Sequence, residues 1–319
     1  MAENRQPKTP KTAHYRIHQL SVEQFEKRFP NEDACKTYLV RHRWPTGVVR
    51  CPRCGFEAKA HGTKPFHWQC YNCAEQTSYR FSVTVNTVFE NTNKPLRDWF
   101  RVIHMMTTAK KGVSALQVFR TLRFGSYKTA WYMCHRIRVA MQDQEFLQLL
   151  GIVEVDETFV GGDFKNKHKD KRGGGKGGGG GIGSGKTPVI GAVQRKGNVV
   201  ARVIDSVDSA TLLRFVREAV SRRVSLVCTD QWAAYNGIGR GYPRSGFPHK
   251  TVNHARGEYV CGAIHTNTIE GFWSLLKRGI MGSYHKVSAK YLPLYVAEFS
   301  FRYNNRENED IFGAAIRAC

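Results

Sequence analysis

Two pairs of cysteines confine the fold of this chain more tightly than any other feature. Cys51-Pro-Arg-Cys54 and Cys70-Tyr-Asn-Cys73 are separated by fifteen residues, a spacing that lets two tight knuckles bring four thiolates to one tetrahedral ion. Such a site has four protein ligands and no open position, which points to structural zinc (Zn2+) rather than catalysis. Redox C-x-x-C pairs would need a thioredoxin-like βαβ setting, and these pairs lack one. Phe66, Trp68, Tyr71, Tyr79 and Phe81 interleave with or follow the pairs, and a β-branched run Val83, Thr84, Val85, Thr87, Val88 comes next. Residues 46–90 therefore read as a small β-rich zinc ribbon. The remaining cysteines, Cys35, Cys134, Cys228, Cys261 and Cys319, are scattered singles, and an odd total of nine does not make a disulfide framework. They read as thiols in a reducing, cytoplasmic setting.

Charge narrows the partners. Lys and Arg number 49 against 26 Asp and Glu, a formal charge of +23. A surface so basic draws polyanions, and nucleic acid is the first to consider. Anionic membrane is the other, but no stretch reaches the roughly 18 apolar residues that spanning requires. Residues 1–19 are polar and lack the apolar centre of a secretory signal. Within an N-terminal segment 1–45, Ser21 precedes Val22, Phe25 and Phe29, and Cys35, Tyr38 and Leu39 form a second apolar set. That pattern predicts one or two short helices ending at Trp44-Pro45.

Residues 91–145 turn helical. Ser114-Ala-Leu-Gln117 has the S-x-x-Q form of a capping box and opens a helix that stops near Phe124-Gly125. Ser126 can cap a second helix with Ala130, Cys134, Ile137 and Met141 as its apolar stripe. Lys128, Tyr132, His135, Arg136 and Arg138 are expected outside that stripe. This is the pattern of a helix-turn-helix with a basic recognition helix, and equally of a plain helical hairpin with a solvated basic face. The neighbouring ribbon and the net charge favour DNA binding.

From residue 150 to 306, strand-like and helix-like runs alternate, as a mixed α/β sheet requires. The strands are expected at 151–160, 189–194, 199–204 and 225–229, with an amphipathic helix at 209–221 and further helices near 268–279 and 289–302. Period-2 geometry puts Glu154, Asp156 and Thr158 on one face of the first strand, and Val153, Val155, Glu157 and Phe159 on the other. Asp156, a carboxylate amid β-rich sequence, asks for a cation. The fourth strand runs into Asp230, at a strand end where α/β sheets keep their sites. Asn267-Thr-Ile-Glu270 opens a helix, and Lys277 follows Glu270 by seven residues, close to two full turns.

Asp156, Asp230 and Glu270 together could hold two Mg2+ or Mn2+ ions for phosphodiester chemistry, with Lys277 as a point charge for the DNA phosphate. Glu270 could instead be only the capping-box partner of Asn267, and the Asn267 amide oxygen competes with Glu270 as the third metal ligand. Residues 163–187, rich in Lys and Gly, are expected as a surface loop, and 307–319 as a C-terminal tail. Gly180 to Thr187 spells a P-loop letter for letter, but a Gly/Lys tract precedes it and Pro188 leads into a strand, so nucleotide binding is rejected.

Taken together, the chain resembles the bacterial insertion-sequence transposases that join an N-terminal zinc ribbon to a DDE catalytic domain. The likeness rests on the two cysteine pairs and on the segments Gly125 to Tyr132, Val155-Asp-Glu-Thr-Phe-Val-Gly-Gly162 and Thr229-Asp-Gln-Trp-Ala-Ala-Tyr235. His265-Thr-Asn-Thr-Ile-Glu-Gly-Phe-Trp-Ser-Leu-Leu-Lys277 and Phe301-Arg-Tyr-Asn-Asn-Arg306 complete it. The resemblance implies a ribonuclease H-like mixed-sheet α/β domain preceded by the ribbon and helix-turn-helix. It also implies divalent metal, and 3′-end cleavage with strand transfer on double-stranded DNA, at terminal inverted repeats and a target. It maps Asp156 and Asp230 onto the first two acids and leaves Glu270 against Asn267 open. A homodimer or higher oligomer on DNA, nucleoid-associated, is expected with it. A domesticated relative without chemistry would bind DNA only, and the intact acids argue against that.

Overall fold

The computed structural model describes residues 20–73, 79–142, 148–162, 185–252 and 265–319. The expectations on Cys261 and on residues 163–184 of the Lys/Gly loop fall outside these.

Helix α1 (Val22–Arg28) opens with a complete capping box, in which Ser21 accepts from the Gln24 N–H and Gln24 returns the bond to the Ser21 N–H. Helix α2 (Glu32–Arg43) is capped by Asn31. The ribbon follows as three short antiparallel strands, β1 (Lys59–Ala60), β2 (His67–Cys70) and β3 (Tyr79–Ser82). The β-branched run that follows is not a strand. Residues 83–88 form consecutive turns, because Thr87 Oγ1 donates to the Thr84 carbonyl and local Thr and Ser hydroxyls compete with a ladder.

Three helices come next: α3 (Leu96–Thr108), α4 (Ala115–Leu122) and α5 (Tyr127–Ala140). Pro95 gives α3 no side-chain cap. The carboxylate of Glu32 on α2 serves instead, accepting the Leu96 and Arg97 N–H groups at 2.8 and 3.1 Å. Ser114 and Ser126 cap α4 and α5 as expected.

The second domain is a five-stranded mixed sheet. Strands β4 (Ile152–Val160), β5 (Thr187–Gln194) and β6 (Val199–Val203) form an antiparallel meander, then β7 (Leu226–Asp230) and β8 (His249–Val252) add in parallel, giving the order β6-β5-β4-β7-β8. This is a ribonuclease H-like mixed sheet. Helix α6 (Ser209–Ala219) buries Leu212, Phe215, Val216 and Ala219 against Val153, Val155, Ile190 and Val227. The opposite face packs under α7 (Asn267–Gly279) and α8 (Leu292–Asn304), through Ile269, Phe272, Trp273, Leu276 and Phe299. Lys186 is followed directly by β5 rather than by the helix a P-loop needs. The edge strand β8 went unread in the sequence because His-Lys-Thr-Val, three of its four residues polar, carries no apolar alternation.

The last segment corrects the expectation of a tail at 307–319. Helix α9 (Ile311–Ala318) buries Ile311, Phe312, Ala315 and Ile316 in the N-terminal core. Phe312 meets Phe29, Phe100, Tyr38 and Phe25 with ring centroids 5.4, 5.6, 5.9 and 6.0 Å away. The N-terminal module is therefore built from residues at both ends of the described chain, with the sheet domain inserted between them.

Two residues expected on the basic face of α5 belong to the interior. Arg138 is 1% exposed and donates from Nε to Glu298 Oε2 on α8 at 2.7 Å; Glu298, 0% exposed, also accepts from the Tyr284 hydroxyl at 2.9 Å. His135 is buried beneath Trp131, ring centroids 3.9 Å apart, and beside Tyr291 and Tyr295. Burial, then the Arg138 charge, push its imidazole down to about 4, so it is neutral at physiological pH. Both side chains are buried and partnered inside the fold, and their assignment as DNA contacts is corrected. The side chains that α5 leaves at the surface lie mostly toward its N-terminus. Tyr127, Lys128 and Tyr132 are exposed there, and Arg136 lies half-buried with its guanidinium on the Glu90 carbonyl.

Candidate active site and zinc centre

The cysteine site forms as the spacing predicts. Cys51, Cys54, Cys70 and Cys73 place their sulfurs within 4.8 Å of one another, with Cys51–Cys73 and Cys54–Cys70 both at 3.5 Å. Four thiolates about 2.3 Å from a tetrahedral zinc would stand roughly 3.8 Å apart, so the donor set fits the ion. The backbone N–H of Phe56, then the Cys73 thiol, hold the Cys54 thiol down to about 6, while burial raises Cys70 and the Cys54 thiol raises Cys73. Trp44, Trp68 and Phe81 pack in the core beside the knuckles. Stripping the metal with a chelator is expected to redshift tryptophan emission and to lose the ribbon's cooperative melt, both restored by Zn2+ and not by Mg2+. An unchanged spectrum in metal-free protein would remove zinc from the structural account.

The carboxylates are placed by the sheet. Strands β4 and β7 pair in parallel through Glu154↔Cys228, so two residues further on each strand bring Asp156 and Asp230 to the same level. Asp156 faces α7, where Trp273 Nε1 donates to its Oδ2 at 3.0 Å. Asp230 Oδ1 accepts from the Trp232 N–H at 3.1 Å. Burial first, then the negative charges of Glu157 and Asp230, push the Asp156 carboxyl up to about 7. A cation between the acids removes that penalty, the response expected of a metal site. Glu157 on the other face takes the hydroxyl of buried Tyr235 at 2.5 Å, and burial raises its carboxyl too.

Glu154, unassigned by the sequence reading, ties the third element to the first. It is fully buried, and its carboxylate accepts from the N–H groups of Thr268 and Ile269 at 2.7 and 3.1 Å, from Thr268 Oγ1 at 2.9 Å and from Arg195 Nε at 2.6 Å. An anion at a helix N-terminus is favourable because the first N–H groups have no partner within the helix. Glu154 thereby satisfies the first free N–H groups of α7, whose N-cap is Thr266 rather than the Asn267 expected from the sequence. The Glu270 side chain accepts from Thr266 Oγ1 at 2.9 Å. Asn267, Glu270 and Lys277 are all exposed along α7, flanking the buried stripe that carries Trp273. Among the described residues the four cysteines are the one group of three or more His, Cys, Asp or Glu gathered so as to hold an ion, and Asp156, Asp230 and Glu270 are not gathered into such a group.

Comparison with known proteins bears out the fold. Residues 148–304, which span the sheet and its helices, match the ISXO2-like transposase domain, and residues 30–76 match the transposase zinc-ribbon domain. The chain belongs to the ISXO2-like insertion-sequence transposases, with a zinc ribbon ahead of a ribonuclease H-like DDE domain. It is 28% identical over 281 residues, 86% of this chain and 92% of the relative, to an uncharacterized protein in transposable element ISH50 of Halobacterium salinarum. It is also 31% identical over 112 residues, 35% of this chain and 85% of the relative, to an uncharacterized transposase-like protein of Haemophilus influenzae. No solved structure matches. No helix among the described residues is long and apolar enough to cross a membrane.

Proposed function

We propose that this transposase binds the terminal inverted repeats of its insertion sequence and performs metal-dependent 3′-end cleavage and strand transfer into target DNA. The observation that carries the reading is the placement of Asp156 and Asp230 at one level on adjacent strands, beside the helix that presents Asn267, Glu270 and Lys277. Mg2+ or Mn2+ bound there would activate the attacking oxygen and stabilise the leaving one. Asp156 and Asp230 are the first two ligands, and either Glu270 or Asn267 completes the set from the start of α7. Lys277, two turns along, holds the phosphate of the strand being cut.

Duplex binding falls to Lys128, Tyr132 and Arg136. They line one side of a groove of about 640 Å³, whose other side carries Asn91, Asn93 and Lys94. Three cations and no carboxylate line it, and a DNA backbone is their complement. Two ends must be held together for transposition, so the working form is a homodimer or larger assembly on nucleoid DNA in the cytoplasm.

The test is a nicking assay on end-bearing DNA with Mg2+ or Mn2+, replacing Asp156, Asp230, Asn267 and Glu270 in turn. Asp156→Asn and Asp230→Asn are expected to abolish nicking and leave DNA retention intact. Of Asn267 and Glu270, the one whose loss matches theirs is the third ligand. Wild-type cleavage by the Asp156 variant would overturn the assignment.

A further inference from the structure

The Asp156 carboxylate is held by a side chain that takes no metal itself. Trp273 lies three residues after Glu270 on α7, 4% exposed, among Ile269, Phe272 and Leu276. Its N–H reaches Asp156 Oδ2 at 3.0 Å. The ring can sit there because of the residue opposite Asp156 in the β4–β5 pairing, which is Gly191. A Cβ at Gly191 would lie 2.7 Å from both Cζ2 and Cη2 of the indole, closer than real contacts allow. Glycine weakens a strand interior, so its presence there marks a close approach by another group. The indole nitrogen is a donor only, with one N–H to give, and it gives it to this acid.

We propose that Trp273 is a positioning residue of the catalytic centre. Its N–H, admitted by the clearance over Gly191, fixes the orientation in which Asp156 receives a divalent ion. Partners that orient a ligating carboxylate hold much of a site's affinity, and their loss costs on the order of 10-fold to 100-fold in metal binding. The inference rests on Asp156 being a metal ligand, so the experiment must separate the two claims.

Mn2+ is titrated into the full-length, zinc-loaded protein without DNA, and free Mn2+ is read by electron paramagnetic resonance. The set is wild type, Asp156→Asn, Trp273→Phe, Gly191→Ala, and benzothienylalanine at 273, which keeps the indole's shape and replaces its N–H by sulfur. Asp156→Asn is expected to abolish binding. Trp273→Phe, Gly191→Ala and the benzothienyl variant are each expected to weaken it about tenfold, with unchanged circular dichroism for the last. If Trp273→Phe fails to fold, the benzothienyl arm decides, because it fills the same volume. Wild-type Mn2+ affinity in that variant, with Asp156→Asn inactive in binding, overturns the role of Trp273 alone. Undiminished binding by Asp156→Asn overturns the metal reading, and the inference falls with it.

Discussion

Removing residues 310–319 is expected to abolish duplex DNA binding, although none of them lies on α5 or in the ribbon. Helix α9 closes the N-terminal core with Ile311, Phe312, Ala315 and Ile316, all buried. Phe312 sits at the centre of an aromatic cluster that also receives α1, α2 and α3. Without it, α3 loses the packing that α9 gives it, and α5, which carries Lys128 and Tyr132 and packs on α3, loses its footing. The single change Phe312→Ala should cost about 3 to 5 kcal/mol, the usual range for truncating a buried phenylalanine. Urea unfolding followed by near-UV circular dichroism measures that loss, and a mobility shift at fixed salt measures binding by the truncated chain. Wild-type retention of DNA by the truncated chain would show that the N-terminal module stands alone.

The second large effect concerns Asp156 in metal-free protein, where Asp156→Asn is expected to stabilise the fold while destroying cleavage. The sign follows from the raised carboxyl, at about 7 in the folded chain against an ordinary 3.8. Between those values the native state binds more protons than the unfolded one, so stability falls as pH rises through that window. Asparagine carries no charge and escapes the penalty. The gain should be small near pH 4 and reach on the order of 2 to 4 kcal/mol by pH 8. Adding Mn2+ should reverse the ranking, because only the acid gains from the ion by mass action. Thermal melts at two pH values, each with and without Mn2+, measure all four states. A variant less stable than wild type at pH 8 without metal would refute the account of Asp156 as a strained anion.

Much of this was legible because local chemistry decided it. The cysteine spacing predicts the ribbon, since two knuckles and a tetrahedral ion leave little freedom. Alternation along β4 separates Glu154 and Asp156 from Val153 and Val155, and α7 and α6 do cover those two faces. Distant partners hid the rest. Arg138 and His135 look like surface cations on a helical wheel, but Glu298 and Tyr291 lie more than 150 residues away in sequence and take both inside. Helix α9 is eight residues with an internal glycine, too short to announce an apolar face before its aromatic socket is known. Glu154 stood two residues from Asp156, and only the arrival of α7 shows that it caps a helix.

The insertion of the sheet domain between two pieces of one core also sets an order on the ribosome. Phe25, Phe29, Tyr38 and Phe100 leave the exit tunnel first, but Phe312, which fills the space among them, emerges only after the whole sheet domain has been made. The N-terminal module is thus the first part of the molecule to be synthesised and the last to be finished. Fragments from interrupted translation would carry the ribbon and α5 on a core that still lacks the rings and methyl groups of α9.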